Sequence, residues 1–174
     1  MDESVLNELE GIVGKGNVRK GTEGTQRFLR PGCETPFLVT VRPRSDAELQ
    51  QTVNLARERR IAILTTNDRF LLREDLHKEG IFLDFERMNQ IEKIDDYTLM
   101  AHVQRGVTWD QLQEALRPLG IKAAAPLAAN SISVAESHAA RFVSKAASKF
   151  WDYPVTNLRL VLANGRIHRT GTHG

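Results

Sequence analysis

The sequence is short of the residues that would tie a small chain together covalently. It has a single cysteine, Cys33, among 174 residues. One thiol excludes an internal disulfide and a cysteine-based zinc site, and it suits a reducing cytoplasm. Cys33 therefore reads as a buried or incidental thiol rather than a nucleophile. Charge of one sign is lacking too. The 24 Lys and Arg against 22 Asp and Glu leave a net charge of +2, mixed along the chain, and aromatics make up only 6%. A nucleic-acid surface needs a basic stripe or a stacking platform, so neither composition nor charge points to one. No apolar run reaches the roughly 20 residues of a membrane span. The N-terminus, MDESVLNELEGIVG, is acidic and periodic, unlike a secretory signal. There is no internal repeat and no low-complexity tract.

What is present is an ordinary globular composition, 41% hydrophobic and 26% charged, in a chain long enough for a sizeable core. Val5, Leu6, Leu9 and Ile12 recur at helical spacing, predicting a short amphipathic helix over 3–13 that ends near Gly14 and Gly16. Residues 15–36 are rich in Gly, Arg, Lys and Thr and read as an irregular arm with exposed charge. Arg27, Arg30 and Lys20 in that arm are candidates to meet an anion, against the commoner reading of a solvated surface.

The stretch 42–93 organises the rest. Phe37–Val41 is a short β-rich run ending at Pro43. Ser45-Asp46-Ala47-Glu48 is a capping box, opening a helix with Leu49, Val53 and Ala56 on one face. Arg57, Arg59 and Arg60 suit the negative end of its dipole. Strands follow at 61–64 and 81–84. A helix between two strands implies a parallel crossover, and ligands of such units sit beyond the carboxyl ends of the strands. That places attention on the loop from Thr65.

Another strand is predicted at 99–103. A second capping box, Thr108-Trp109-Asp110-Gln111, precedes Leu112, Ala115 and Leu116, closed by Pro118 and Gly120. Residues 121–132 read as a loop. A third box, Ser133-Val134-Ala135-Glu136, opens a helix over 133–147. Leu158–Leu162 and Arg166–Arg169 flank Ala163-Asn164-Gly165, a hairpin signal.

Few residues argue for catalysis. The histidines His77, His102, His138, His168 and His173 show no metal-ligand spacing. Ser131, Ser133 and Ser137 near His138 lack a nucleophile elbow, so capping and loop roles are the better reading. Trp109 and Trp151 read as packing residues. Arg141, Lys145 and Lys149 read as a solvated helix face.

Four segments, RPRSDAELQQTVNLARERRI (42–61), LDFERMNQIEKID (83–95), RGVTWDQLQEALRPLG (105–120) and LRLVLANGRIHRTG (158–171), resemble the FAD-binding domain of FAD-linked oxidases and dehydrogenases. This is the group with the p-cresol methylhydroxylase and vanillyl-alcohol oxidase fold, and within it the chain resembles the glycolate oxidase catalytic subunit and D-lactate dehydrogenase. The resemblance covers most of 37–171. It implies an α+β (α/β) fold, an FAD-binding type 2 domain. A small parallel βαβ lobe (about 37–95) precedes a second lobe with a mostly antiparallel sheet (about 96–174), after an N-terminal helix and arm over 1–36. It implies FAD as cofactor, a 2-hydroxy acid as substrate, and a separate substrate domain or electron-transfer subunit as partner, in the cytoplasm, with a homo-oligomer left open. The family's later Gly-rich segment, terminal strands and substrate domain have no counterpart here, so the domain reads as C-terminally incomplete. By family position the cofactor-binding residues are Thr65, Thr66, Asn67, Asp68, Arg69, Phe70, Gly106, Pro126, Ser133 and Ser137. No catalytic residue and no metal ligand can be named.

The chain departs from the family where glycine is expected. The phosphate-cradling loop needs bare backbone with positive φ, yet here it holds Asn67, Asp68 and Arg69. Asp68 beside a diphosphate would cost on the order of 4 kcal/mol at ~4 Å and an effective dielectric of ~20. Arg69 could offset this by pairing with phosphate. Ala135, Glu136, Val143, Ser144 and Asn157 also stand where glycine is expected, and Arg105 where proline is. The implied outcome is a weakened flavin cleft, and a chain that is not catalytically competent alone. The alternative is a degenerate accessory or assembly subunit that has lost FAD.

Overall fold

The fold is that of a computed structural model, which describes residues 1–29, 34, 38–65, 79–123, 125, 132–139 and 155–171. The described chain separates into two compact units, Met1–Arg87 with Thr156–Gly174, and Met88–Val155.

The first unit opens with helix α1, Glu3–Val13, which turns off at Gly14 with φ +86°. Strand β1 (Val18–Lys20), the short helix α2 (Thr22–Thr25) and a 3-10 turn at Gln26–Phe28 follow. Within the expected irregular arm, residues 18–28 are thus structured. Their alternation is too short to announce a strand, and what holds them is tertiary: Thr25 and Phe28 are buried. Next come β2 (Leu38–Val41), α3 (Asp46–Glu58), β3 (Ala62–Thr65) and β4 (Gly80–Leu83). The sheet runs β1-β2-β4-β3. β2, β4 and β3 are parallel, and β1 is an antiparallel edge. The crossover helix therefore joins strands that run the same way but do not touch, because β4 is inserted between them.

The sheet's two faces differ. Val39, Val41, Ile81 and Leu83 point to one face and pack against Val5, Leu6, Leu9 and Val13 of α1 and Leu55 and Ala56 of α3. Each such side chain removed from water contributes about 1.5–3 kcal/mol. On the other face Leu38 and Phe82 meet Phe28, its ring edge-on to Phe82 at 4.9 Å. Further along the same face, Leu38 is followed by Thr40 on β2 and by Arg42 just past its end. Phe82 on β4 is followed by Asp84 just past its end. Alternation along a strand makes this one continuous surface that changes from apolar to charged toward the carboxyl ends.

The second unit has β5 (Ile91–Asp95) paired antiparallel with β6 (Met100–Val103). β5 does not show period-two alternation, because a register shift between Ile91 and Lys93 inserts a residue. Asp95 Oδ1 accepts the Tyr97 and Thr98 amides at 3.2 and 2.9 Å and closes the turn. Helix α4, Trp109–Leu116, carries the complete capping box expected at Thr108 and Gln111. Val107, Trp109, Leu112, Leu116 and Val134 form the core. Helix α5 is described over Val134–Ala139. The remainder of the helix expected to 147, with Arg141, Val143, Ser144, Lys145, Lys149 and Trp151, lies outside the described residues.

The chain returns to the first unit through β7 (Arg159–Val161) and β8 (Ile167–Arg169), the expected antiparallel hairpin. Gly165, at φ +78°, donates its amide to Leu162 O at 2.8 Å. A type I turn closed by a left-handed glycine fits this geometry. No described helix is long and apolar enough to cross a membrane.

Candidate functional site

Thr65 is the last residue of β3 and is exposed, opposite Leu83 on β4. Thr66, Asn67, Asp68, Arg69, Phe70 and Pro126 lie outside the described residues. Gly106, Ser133 and Ser137 are all in the second unit, where an antiparallel bridge joins Thr108 to Ser133. Their polar groups are engaged internally. The Gly106 amide donates to Met88 O at 2.7 Å. Ser133 Oγ accepts the Glu136 amide at 3.1 Å, as an N-cap does. Ser137 Oγ accepts from Trp109 Nε1 at 2.9 Å and donates to Val134 O at 2.8 Å. Glu136 is buried, at a position where the family pattern has glycine. His138 lies with its ring 6.4 Å from that of Trp109, and burial pushes its imidazole below the usual range.

The first unit carries a cleft of about 410 Å³, lined by Arg19, Glu23, Gly24, Gln26, Arg27, Thr40, Arg42, Asp84 and Glu86. It sits beyond the carboxyl ends of β2 and β4, where ligands of parallel sheets are found. Its floor is the charged end of the strand face described above. Its far wall is α2 with the following 3-10 turn. Gly24 lets that wall approach: a β-carbon there would stand 2.3 Å from Thr40 Oγ1 and 2.6 Å from Thr40 Cβ. Among these residues, the sequence pattern singles out Arg27. It has no signal for Thr40, Arg42, Asp84 and Glu86, which alternation alone cannot bring beside residue 27.

Charge in the cleft is organised around two guanidiniums. Arg27 pairs with Asp84 and stacks its guanidinium 4.6 Å over the Phe28 ring. Glu86 Oε2 lies 3.1 Å from Arg27 NH1 and 3.4 Å from Arg42 NH1. Asp84 is buried and also accepts the Glu86 amide at 3.0 Å. Burial pushes its carboxyl above the usual range, outweighing the lowering by that amide and by Arg27. Two buried atoms in the lining, Thr40 Oγ1 and Arg42 Nε, have no hydrogen-bond partner among the described residues. Among the described residues, no group of His, Cys, Asp and Glu is arranged to hold a metal ion.

Comparison with known proteins bears on the fold and its cofactor. A family model described as "FAD binding domain" matches residues 37–171. No curated protein matches by sequence. Among solved structures, p-cresol methylhydroxylase with substrate bound is 20% identical with a TM-score of 0.75, over 97% of this chain and 35% of that one. A 4-ethylphenol oxidase from Gulosibacter chungangensis is 23% identical with a TM-score of 0.73, over 97% and 34%. An alkyldihydroxyacetonephosphate synthase is 14% identical with a TM-score of 0.81, over 99% and 35%. The chain thus spans about a third of the length of these proteins.

Proposed function

The chain belongs to the FAD-binding-domain family of FAD-linked oxidases, whose model spans 37–171, and from that premise we propose that it forms the flavin-binding portion of an oxidase or dehydrogenase acting on small 2-hydroxy acids. FAD is the family's cofactor. When bound, it would accept the hydride, and the protein would orient it and set its electrostatic surroundings. The observation that carries the reading is the family match across a parallel βαβ lobe followed by antiparallel strands.

We place flavin affinity below that of a glycine-cradled site. In the second unit, two described donors at family positions are already committed and do not fit a diphosphate: the Gly106 amide goes to Met88 O and the Ser137 hydroxyl to Val134 O. Phosphate contacts would fall to the stretch from Thr65 to Phe70. Substrate choice is assigned to a separate substrate domain or electron-transfer subunit in the cytoplasm. Calorimetric titration of the chain with FAD checks this. Weak, saturable binding is expected, with flavin removed by desalting. A protein that purifies yellow with stoichiometric flavin would overturn the reduced affinity.

The committed Gly106 and Ser137 donors favour a second reading, an accessory subunit that has lost FAD. It requires no heat and no change in flavin fluorescence at any FAD concentration. The substrate class is tested by supplying flavin and partner anaerobically. Bleaching by glycolate or lactate is expected, and bleaching by alkylphenols alone would sink the hydroxy-acid assignment.

A further inference from the structure

We propose that the cleft beyond β2 and β4 binds a small organic carboxylate, in the place where the Glu86 side chain now sits. Arg27, from the 3-10 turn, and Arg42, from the end of β2, approach one oxygen of Glu86 from two walls. A guanidinium pair converging on one carboxylate is a recognition geometry for that group. Glu86 is itself half-exposed, at 52% of its side chain, so it can turn to solvent and release the position. Its own backbone amide stays tied to Asp84. The cleft, at about 410 Å³, is of the size that small-molecule sites have.

The wall offers more than charge. Arg42 Nε and Thr40 Oγ1 are buried there without a partner among the described residues. A ligand oxygen can accept the Nε–H. Asp84 argues for a singly charged group over a phosphate, because every extra negative charge entering the cleft faces that buried carboxylate. The proposal does not rest on flavin. It uses none of the residues at family cofactor positions, and its lining lies wholly within the first unit.

The test is calorimetry on the flavin-free 174-residue chain with acetate, propionate, benzoate and inorganic phosphate at constant ionic strength. One-site, saturable binding of a carboxylate is expected. Glu86→Gln removes the internal competitor and should tighten binding about three- to tenfold, the range of one or two exposed ion pairs. Arg42→Gln should abolish it, in protein whose circular dichroism matches the parent. Three results would overturn the assignment: no binding by wild type and Glu86→Gln alike, phosphate bound more tightly than every carboxylate, or affinity unchanged by Glu86→Gln. The last is independent of whether the Arg42 variant folds, since Glu86 lies at the surface.

Discussion

Asp84 concentrates the competition among forces at the level of a single residue. It directly follows strand β4, whose four residues are buried, so its carboxylate is drawn out of water by its neighbours' packing. Arg27 and the Glu86 amide compensate only in part, and the carboxyl titrates above its usual 3.8. Only between the unfolded and folded values does the native state hold a proton that the unfolded chain has released. Stability from this group is present below the unfolded value and is lost as pH rises through the folded one. Asparagine keeps an acceptor for both partners and does not titrate. Urea melts of wild type and Asp84→Asn should therefore diverge in the variant's favour as pH rises from the acid range to neutrality. A difference independent of pH, or a trend of opposite sign, would show that Arg27 rather than burial dominates. Asp95 behaves oppositely: hydrogen bonds from Thr98 hold its carboxyl below the usual range, and that contribution is lost as pH falls through it.

Single elements are held by local chemistry at their ends and by packing along their sides. The caps show which of these was readable. Thr108 and Gln111 form the full reciprocal box, with Gln111 N–H on Thr108 Oγ1 at 3.2 Å and Thr108 N–H on Gln111 Oε1 at 2.9 Å. Ser45 caps α3 through the Glu48 amide, but the Glu48 carboxylate takes the Arg44 amide at 2.9 Å and the Arg44 side chain instead of the Ser45 amide. Arg44 thus engages both carboxylate oxygens, one through its backbone amide and one through its guanidinium. Thr108→Ala should cost about 1 kcal/mol, seen as faster amide exchange in α4 and a lower melting midpoint. An unchanged midpoint would show that Trp109 and Leu112 hold the helix without its cap. The strand at 91–95 was hidden for an equally local reason, since its bulge breaks the two-residue period.

For the molecule as a whole, the sheet is the organising body, and its order is not the order of the chain. The sequence reading set residues 1–36 apart from the domain that follows. In the structure, α1 covers one face of the β1-β2-β4-β3 sheet, and Leu9 is fully buried between that sheet and α3. Leu9→Ala should accordingly destabilise the first unit by about 2–4 kcal/mol, measured as a lower urea midpoint. A change under a few tenths would mean that α1 is a dispensable appendage.

The sequence alone determined most of the elements and the family. Helical and alternating periods, the caps at Thr108 and Ser133, the turn at Asn164-Gly165 and the four matching segments depend on neighbours a few residues apart, and such interactions survive reading in one dimension. Only the tertiary structure decided that β4 separates β2 from β3. It alone turned the arm at 18–28 into a wall, and gathered Arg27, Thr40, Arg42, Asp84 and Glu86 around one cleft. Those arrangements minimise exposed apolar surface over the whole sheet. That quantity belongs to contacts between residues tens of positions apart and to no local pattern.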